Sequence, residues 1–199
     1  MSNQAIVDNY FSTPVWLFEK PEWVKSVNKA CDKYIKEAYK RDKKGKNDFG
    51  WSYHSSPLYA DPKLKELHDW VGATAHNFLD EMGYDLKNHT LFCTESWVQE
   101  FSKKGGGHHN SHIHGNNHVS AFYYLKCTDN TSRPIFHDPR LAAKMMKLPE
   151  KDSKKITMAN DKINYTPKPG TLIIIPAYLE HEYGVDSGRE EFRFIHFNL

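Results

Sequence analysis

The sequence predicts a mainly β chain, a jelly-roll or barrel-like sandwich preceded by two helices. Three observations carry that expectation. Apolar residues recur at helical spacing through the first third, the period shortens to two after Gly83, and the later strand-like segments are short and divided by glycine and proline.

The first helix is announced by Pro21, which suits a first turn, followed by Val24, Val27, Cys31, Tyr34, Ile35 and Ala38 along one face of about five turns. A loop rich in Lys, Gly and Asp comes next. Asp61-Pro62 then supplies a cap and first-turn pair, Leu64, Leu67, Val71, Phe78 and Leu79 make a second stripe, and Gly83 is a stop. Beyond it, Leu91, Cys93, Trp97 and Phe101 alternate with their neighbours as a strand does. Further strands are expected at 119–126, 133–136, 170–175 and 192–197. The charged stretch 138–161, with Met145-Met146, reads as a long insertion of the kind that often carries a lid or substrate loop.

Length and the absence of an internal repeat argue for a single domain over 1–199, with a mainly helical region 1–88 packed on a β core 89–199. The formal net charge of +2 is small, and its densest basic run, 40–46, is expected to be solvated surface, so nucleic acid is not the expected partner. The amino terminus lacks the basic and apolar regions of a signal peptide, and the longest apolar stretch, 172–177, is too short to span a bilayer. A soluble, cytoplasmic protein is expected. Cys31, Cys93 and Cys127 are odd in number and without a CxxC pair, which argues against disulfides or a thiolate zinc site.

Histidine is unevenly placed. Five of the twelve lie in the stretch from His108 to His118. If the chain is extended there, a period of two sets His112 and His114 on one face and Ile113 on the other. Two imidazoles can share a metal ion, and a third ligand must then come from elsewhere. His181 is the candidate: a Pro-Gly turn feeds the apolar run Leu172 to Ile175, Pro176 ends it, and His181 follows just past the end. His108, His109, His118, His137 and His196 are read as structural.

These residues together resemble a known family. His112-Ile113-His114, the run Val119 to Leu125, Phe136-His137-Asp138-Pro139-Arg140, the Pro-Gly strand ending at His181 and a final Arg-bearing strand are similar, from about Glu95 to Asn198, to the 2-oxoglutarate-Fe(II) oxygenases of bacteria and tailed phages, relatives of the prolyl hydroxylases. The resemblance implies a double-stranded β-helix, of the jelly-roll and cupin-like kind, holding Fe(II) by His112, His114 and His181. The wider superfamily usually carries HxD, so His114 stands in the place of a carboxylate and leaves the site one charge more positive. Asp138 is the nearest downstream carboxylate and is expected to anchor a turn.

The resemblance also implies 2-oxoglutarate as cosubstrate, needing a cation for its distal carboxylate. Arg193, on the last strand, is the expected anchor by analogy, with Arg189 as runner-up, and Tyr124 is placed where relatives hydrogen-bond the same carboxylate. The implied reaction is a dioxygenase hydroxylation with O2, releasing succinate and CO2, and needing no separate catalytic side chain beyond the metal ligands. The substrate is open: a peptidyl residue such as proline by kinship, a metabolite or a nucleobase otherwise. Trp51, Tyr53, Trp97 and Phe101 are candidates to line its groove. Two rivals share parts of the pattern, a cupin-like three-histidine metal protein that does not use 2-oxoglutarate and a non-catalytic jelly-roll binding module. Nothing in the sequence addresses the oligomeric state.

Overall fold

The computed structural model describes residues 9–42, 48–145 and 148–199. The first eight residues, most of the basic run 40–46 and Met146 lie outside the described residues. In chain order the elements are β1 (Trp16–Glu19), α1 (Val24–Arg41), β2 (Ser52–His54), α2 (Lys65–Glu81), β3 (Glu95–Phe101), β4 (His109–His112), β5 (Val119–Lys126), β6 (Pro134–His137), β7 (Lys162–Asn164), β8 (Thr171–Pro176), β9 (His181–Tyr183) and β10 (Arg193–Asn198).

Both helices form where their apolar stripes fall. Val27, Ala30, Cys31, Ile35 and Ala38 are the buried face of α1, and Leu67, Val71, Ala75, Phe78 and Leu79 that of α2. Pro21 and Pro62 each open a turn of 3-10 helix leading into the α-helix, as proline's fixed φ favours. Asp61 caps the second by accepting from the Lys63 amide at 2.9 Å. The same carboxylate is buried, and it accepts from Tyr34 at 3.0 Å and pairs with Lys33 at 2.9 Å, both on α1. One acidic side chain thus starts α2 and ties it to α1.

The strands form two antiparallel sheets. The larger runs β1-β8-β5-β10-β3-β2 and the smaller β4-β9-β6-β7. From β3 onward the chain passes to and fro between them, which winds a double-stranded β-helix. Its strands separate two apolar layers by their period of two. Val98, Ala121, Tyr123, Leu172, Ile174, Ile195 and Phe197 face the helices, while Phe101, Phe122, Tyr124, Ile173, Ile175 and Phe194 face the smaller sheet. Each such fully buried large side chain contributes about 1.5–3 kcal/mol. The expected strand near Leu91 begins only at Glu95; Leu91 and Cys93 instead pack against the helix layer.

The loop from β3 to β4 meets the turn from β9 to β10 at very close range. Gly105 and Gly188 both have positive φ, and a Cβ on Gly188 would lie 2.2 Å from the Gly105 nitrogen. Glycine is required at this crossing, and it fixes how β4 enters beside β9.

Candidate metal centre

β4 and β9 are direct neighbours, and His112 and His181 are paired in register, so their side chains share a face. Their ring centroids are 4.4 Å apart. His114 lies two residues past the end of β4, where its amide donates to the Ala177 carbonyl at 3.0 Å and hooks the chain onto the turn between β8 and β9. Its ring is 4.9 Å from His112 and 5.2 Å from His181. The three potential ligand atoms all lie within 4.8 Å of one another.

What marks this cluster as a site is an unmet demand. The Nε2 atoms of His112, His114 and His181 are buried and have no hydrogen-bond partner. A buried polar atom left unpaired costs about 1–3 kcal/mol, and three converging on one point call for a common ligand. His112 and His181 donate Nδ1–H to the Asn110 and Leu179 carbonyls, at 2.7 and 2.9 Å, which turns the Nε2 lone pairs inward. Burial pushes His181 down to about 3 and His114 down to about 4, so both rings are neutral at ordinary pH, the charge state a metal ligand needs. The residues present fit a divalent metal with imidazole preference. Asp138 does not join them: it accepts from the backbone and guanidinium of Arg140, in the turn expected of it.

Around the triad runs a circuit of rings that includes His109 and His196, expected to be structural, Trp97, expected as a candidate to line a groove, and His54, for which the sequence gives no signal. His109 is 4.3 Å from His112, His54 is 5.7 Å from His109, Trp97 is 6.1 Å from His54, His196 is 4.2 Å from Trp97, and His114 closes the circuit at 4.7 Å from His196. His109 and His112 are three residues apart and belong on opposite faces of a regular strand. A register shift between them puts both rings on one side. Burial pushes His109 down to about 4 as well. His196 needed no irregularity, because it shares the inward parity of Phe194 on β10, and that parity was readable in the sequence. Of the other residues expected to line a groove, Tyr53 alternates with His54 on β2 and packs 4.0 Å from Tyr39 of α1, Trp51 lies 6.5 Å from Tyr53, and Phe101 is core.

Arg193 is elsewhere. Although the pairing with β5 shifts register between Arg193 and Phe194, the pairing with β3 is regular and sets Arg193 beside Glu100 and His196 beside Trp97, so Arg193 projects from the opposite face of β10, toward α1. There its guanidinium donates to Glu100 at 2.5 Å, to Asp32 at 2.8 Å and to Asn28 at 2.7 Å, and Tyr39 donates to Glu100 at 2.7 Å. It is the one buried arginine or lysine among the described residues, and it faces away from the triad. The expectation that it anchors a carboxylate inside the barrel is therefore corrected by these contacts, which commit its guanidinium to Glu100, Asp32 and Asn28 on the helix side. Arg189 is exposed, in the turn after Ser187. Tyr124 does face inward. Its hydroxyl pairs with that of Tyr183 at 2.7 Å, among Phe192 and Phe194, and burial raises both phenols so that they stay protonated donors.

A β-helix with three imidazoles converging where β4 meets β9 has the form of a non-haem metal site. Residues 95–198 match the family model for 2OG-Fe(II) oxygenases. The chain belongs to that family, and is thus an Fe(II)- and 2-oxoglutarate-dependent oxygenase that uses O2, acting on a substrate together with its small-molecule cosubstrate. No curated protein matches it. Solved structures similar in fold include EctD from S. alaskensis in its apoform, at 12% identity over 94% of this chain and 72% of that chain with a TM-score of 0.63. A Pseudomonas putida prolyl-4-hydroxylase is similar at 10% identity, 94% and 92% coverage and a TM-score of 0.54. A Trichoplax adhaerens prolyl hydroxylase, in complex with a hypoxia inducible factor peptide fragment, is similar at 10% identity, 93% and 83% coverage and a TM-score of 0.56. Among the described residues no helix is long and apolar enough to cross a membrane.

Proposed function

We propose that the chain hydroxylates a peptidyl residue, proline being the first candidate, with His112, His114 and His181 as its iron ligands. The observation that carries the reading is the set of three buried, unpartnered Nε2 atoms within 4.8 Å of one another. Bound Fe(II), with 2-oxoglutarate and O2, supplies the oxidising chemistry, consuming the cosubstrate to succinate and CO2 and leaving one oxygen on the substrate.

The chain's own residues position and protect. Phe122 packs 5.2 Å from His181 and the buried aromatic layer beneath excludes water from that side. His54, Trp97 and His109 are half-buried and line the other side, which makes them the wall a substrate meets. Trp97 offers a flat face to a pyrrolidine or other ring, as aromatic faces do in ligand pockets. With Arg193 engaged by carboxylates, the buried hydroxyls of Tyr124 and Tyr183 are inward donors among the described residues for the distal carboxylate of 2-oxoglutarate, and Tyr124 keeps the role the resemblance implies.

The test is turnover. The iron-loaded protein is incubated with 2-oxoglutarate and pools of proline-containing peptides, with succinate and peptide mass followed together. Succinate that rises with a peptide gaining one oxygen supports the reading; succinate stimulated only by free metabolites excludes the peptidyl substrate.

A further inference from the structure

The three imidazoles are not held alike. For His112 and His181 a backbone carbonyl faces Nδ1, and a carbonyl only accepts, so the ring proton must sit on Nδ1. His114 has no such carbonyl. Its Nδ1 lies 3.1 Å from the side-chain amide nitrogen of Asn198. An amide NH2 donates, so Nδ1 is the acceptor, and the proton of the neutral ring then falls on Nε2, where it blocks coordination.

Glu95 holds the amide this way round. Its carboxylate accepts from the same Asn198 Nδ2 at 2.8 Å, while Asn198 Oδ1 accepts from Ser120 at 2.9 Å and lies 3.1 Å from His196 Nε2. Turning the amide over exchanges these partners. Oδ1 would then accept Nδ1–H from His114, freeing the Nε2 lone pair, and Nδ2 would donate to Ser120 Oγ and His196 Nε2, both of which can accept. No net proton is taken up: in His114 and in His196 the proton passes from Nε2 to Nδ1 through exchange with water. Only the bond to Glu95 is lost, and Glu95 is exposed at the start of β3, free to turn to solvent.

We propose that Asn198 is the positioning residue for the third metal ligand, its amide held by Glu95 in the orientation that keeps His114 from ligating and turned over when metal binds. The proposal rests on the three-histidine centre described above. It gives His114 a side-chain partner whose orientation decides whether the site has two ligands or three.

Co(II) loading tests both. Each imidazole bound to Co(II) through Nε2 gives one strongly shifted, exchangeable Nδ1–H proton signal in NMR, and three are expected for the wild-type protein. Asn198→Leu should keep two and bind Co(II) roughly ten- to a hundredfold more weakly, the usual effect of removing such an outer partner. Asn198→Asp, an acceptor in either orientation, should keep three, and Glu95→Ala should bind several-fold more tightly. Three signals at unchanged affinity in Asn198→Leu would overturn the proposal. If that variant does not fold, loss of the third signal in Asn198→Asp, or unchanged or weaker binding in Glu95→Ala, would do so. Fewer than three signals in the wild-type protein would instead contradict the three-histidine centre itself.

Discussion

Arg193 and His196 stand three residues apart on one strand and face opposite sides of the larger sheet. His196 lies 4.7 Å from the ring of His114, whereas Arg193 is locked against Glu100 and Asp32 beneath α1. The arginine that the family resemblance singled out for the cosubstrate is, in this chain, part of the joint between helix and sheet.

Arg193→Met is therefore expected to act on stability. It leaves the Glu100 carboxylate buried without its cation, and breaking such a pair costs about 3–5 kcal/mol. Urea unfolding checks this, and Glu100→Gln in the same chain should restore part of the loss. The Kd for 2-oxoglutarate of the folded fraction should stay near the wild-type value.

Tyr124→Phe should behave in the reverse way. A hydrogen bond to a charged group is worth about 1.5–3 kcal/mol, so removing the hydroxyl should weaken 2-oxoglutarate binding roughly tenfold or more while the fold is retained. Measuring the Kd for 2-oxoglutarate in the iron-loaded variant decides it, and an unchanged Kd would place the distal carboxylate away from Tyr124.

Acid should destabilise the metal-free protein. His181 is held down to about 3, and His109 and His114 to about 4, all from 6.5, with burial the largest cause in each. Between those values and 6.5 the unfolded chain binds more protons than the folded one, so this stability is fully present above about 6.5 and is lost progressively as the pH falls through about 4 for His109 and His114 and about 3 for His181. Urea midpoints at pH 7, 6 and 5 should decline in that order; a midpoint that rises on acidification would contradict the buried neutral cluster.

Metal should stabilise in proportion to its affinity, by about 2.7 kcal/mol at a hundredfold excess over Kd. Thermal unfolding with Mn(II), with and without chelator, measures the gain. Alanine at His112 should abolish most of it, whereas alanine at His108, whose Nδ1 is 2.9 Å from the Gly106 carbonyl, should not.

Much of this architecture is legible in the sequence because burial writes a period. α1, α2, β5, β8 and β10 are long enough, and apolar enough, for spacing to locate them. β2, β7 and β9 are three residues each, and β4 is the polar His109–His112, so no period can form in them. The facing of His112 and His181 depends on a pairing between strands far apart in the chain, which one sequence does not display. The error at Arg193 has a different source. Choosing Arg193 by analogy, as the arginine twelve residues past His181 on the last strand, ignores parity, and the alternation of Phe194, His196 and Asn198 with Ile195 and Phe197 already places Arg193 on the helix side. His109 was hidden for the opposite reason, since a register shift breaks the alternation that would have excluded it.

The central claim, that this chain is an oxygenase whose iron sits on three histidines and takes 2-oxoglutarate directly, is tested by one anaerobic titration. Fe(II)-loaded protein is mixed with 2-oxoglutarate and its visible absorption recorded, with His181→Ala as the comparison. A saturable charge-transfer band in the wild-type protein and none in the variant is the predicted result; no band in the wild-type protein, or the same band in both, would contradict it.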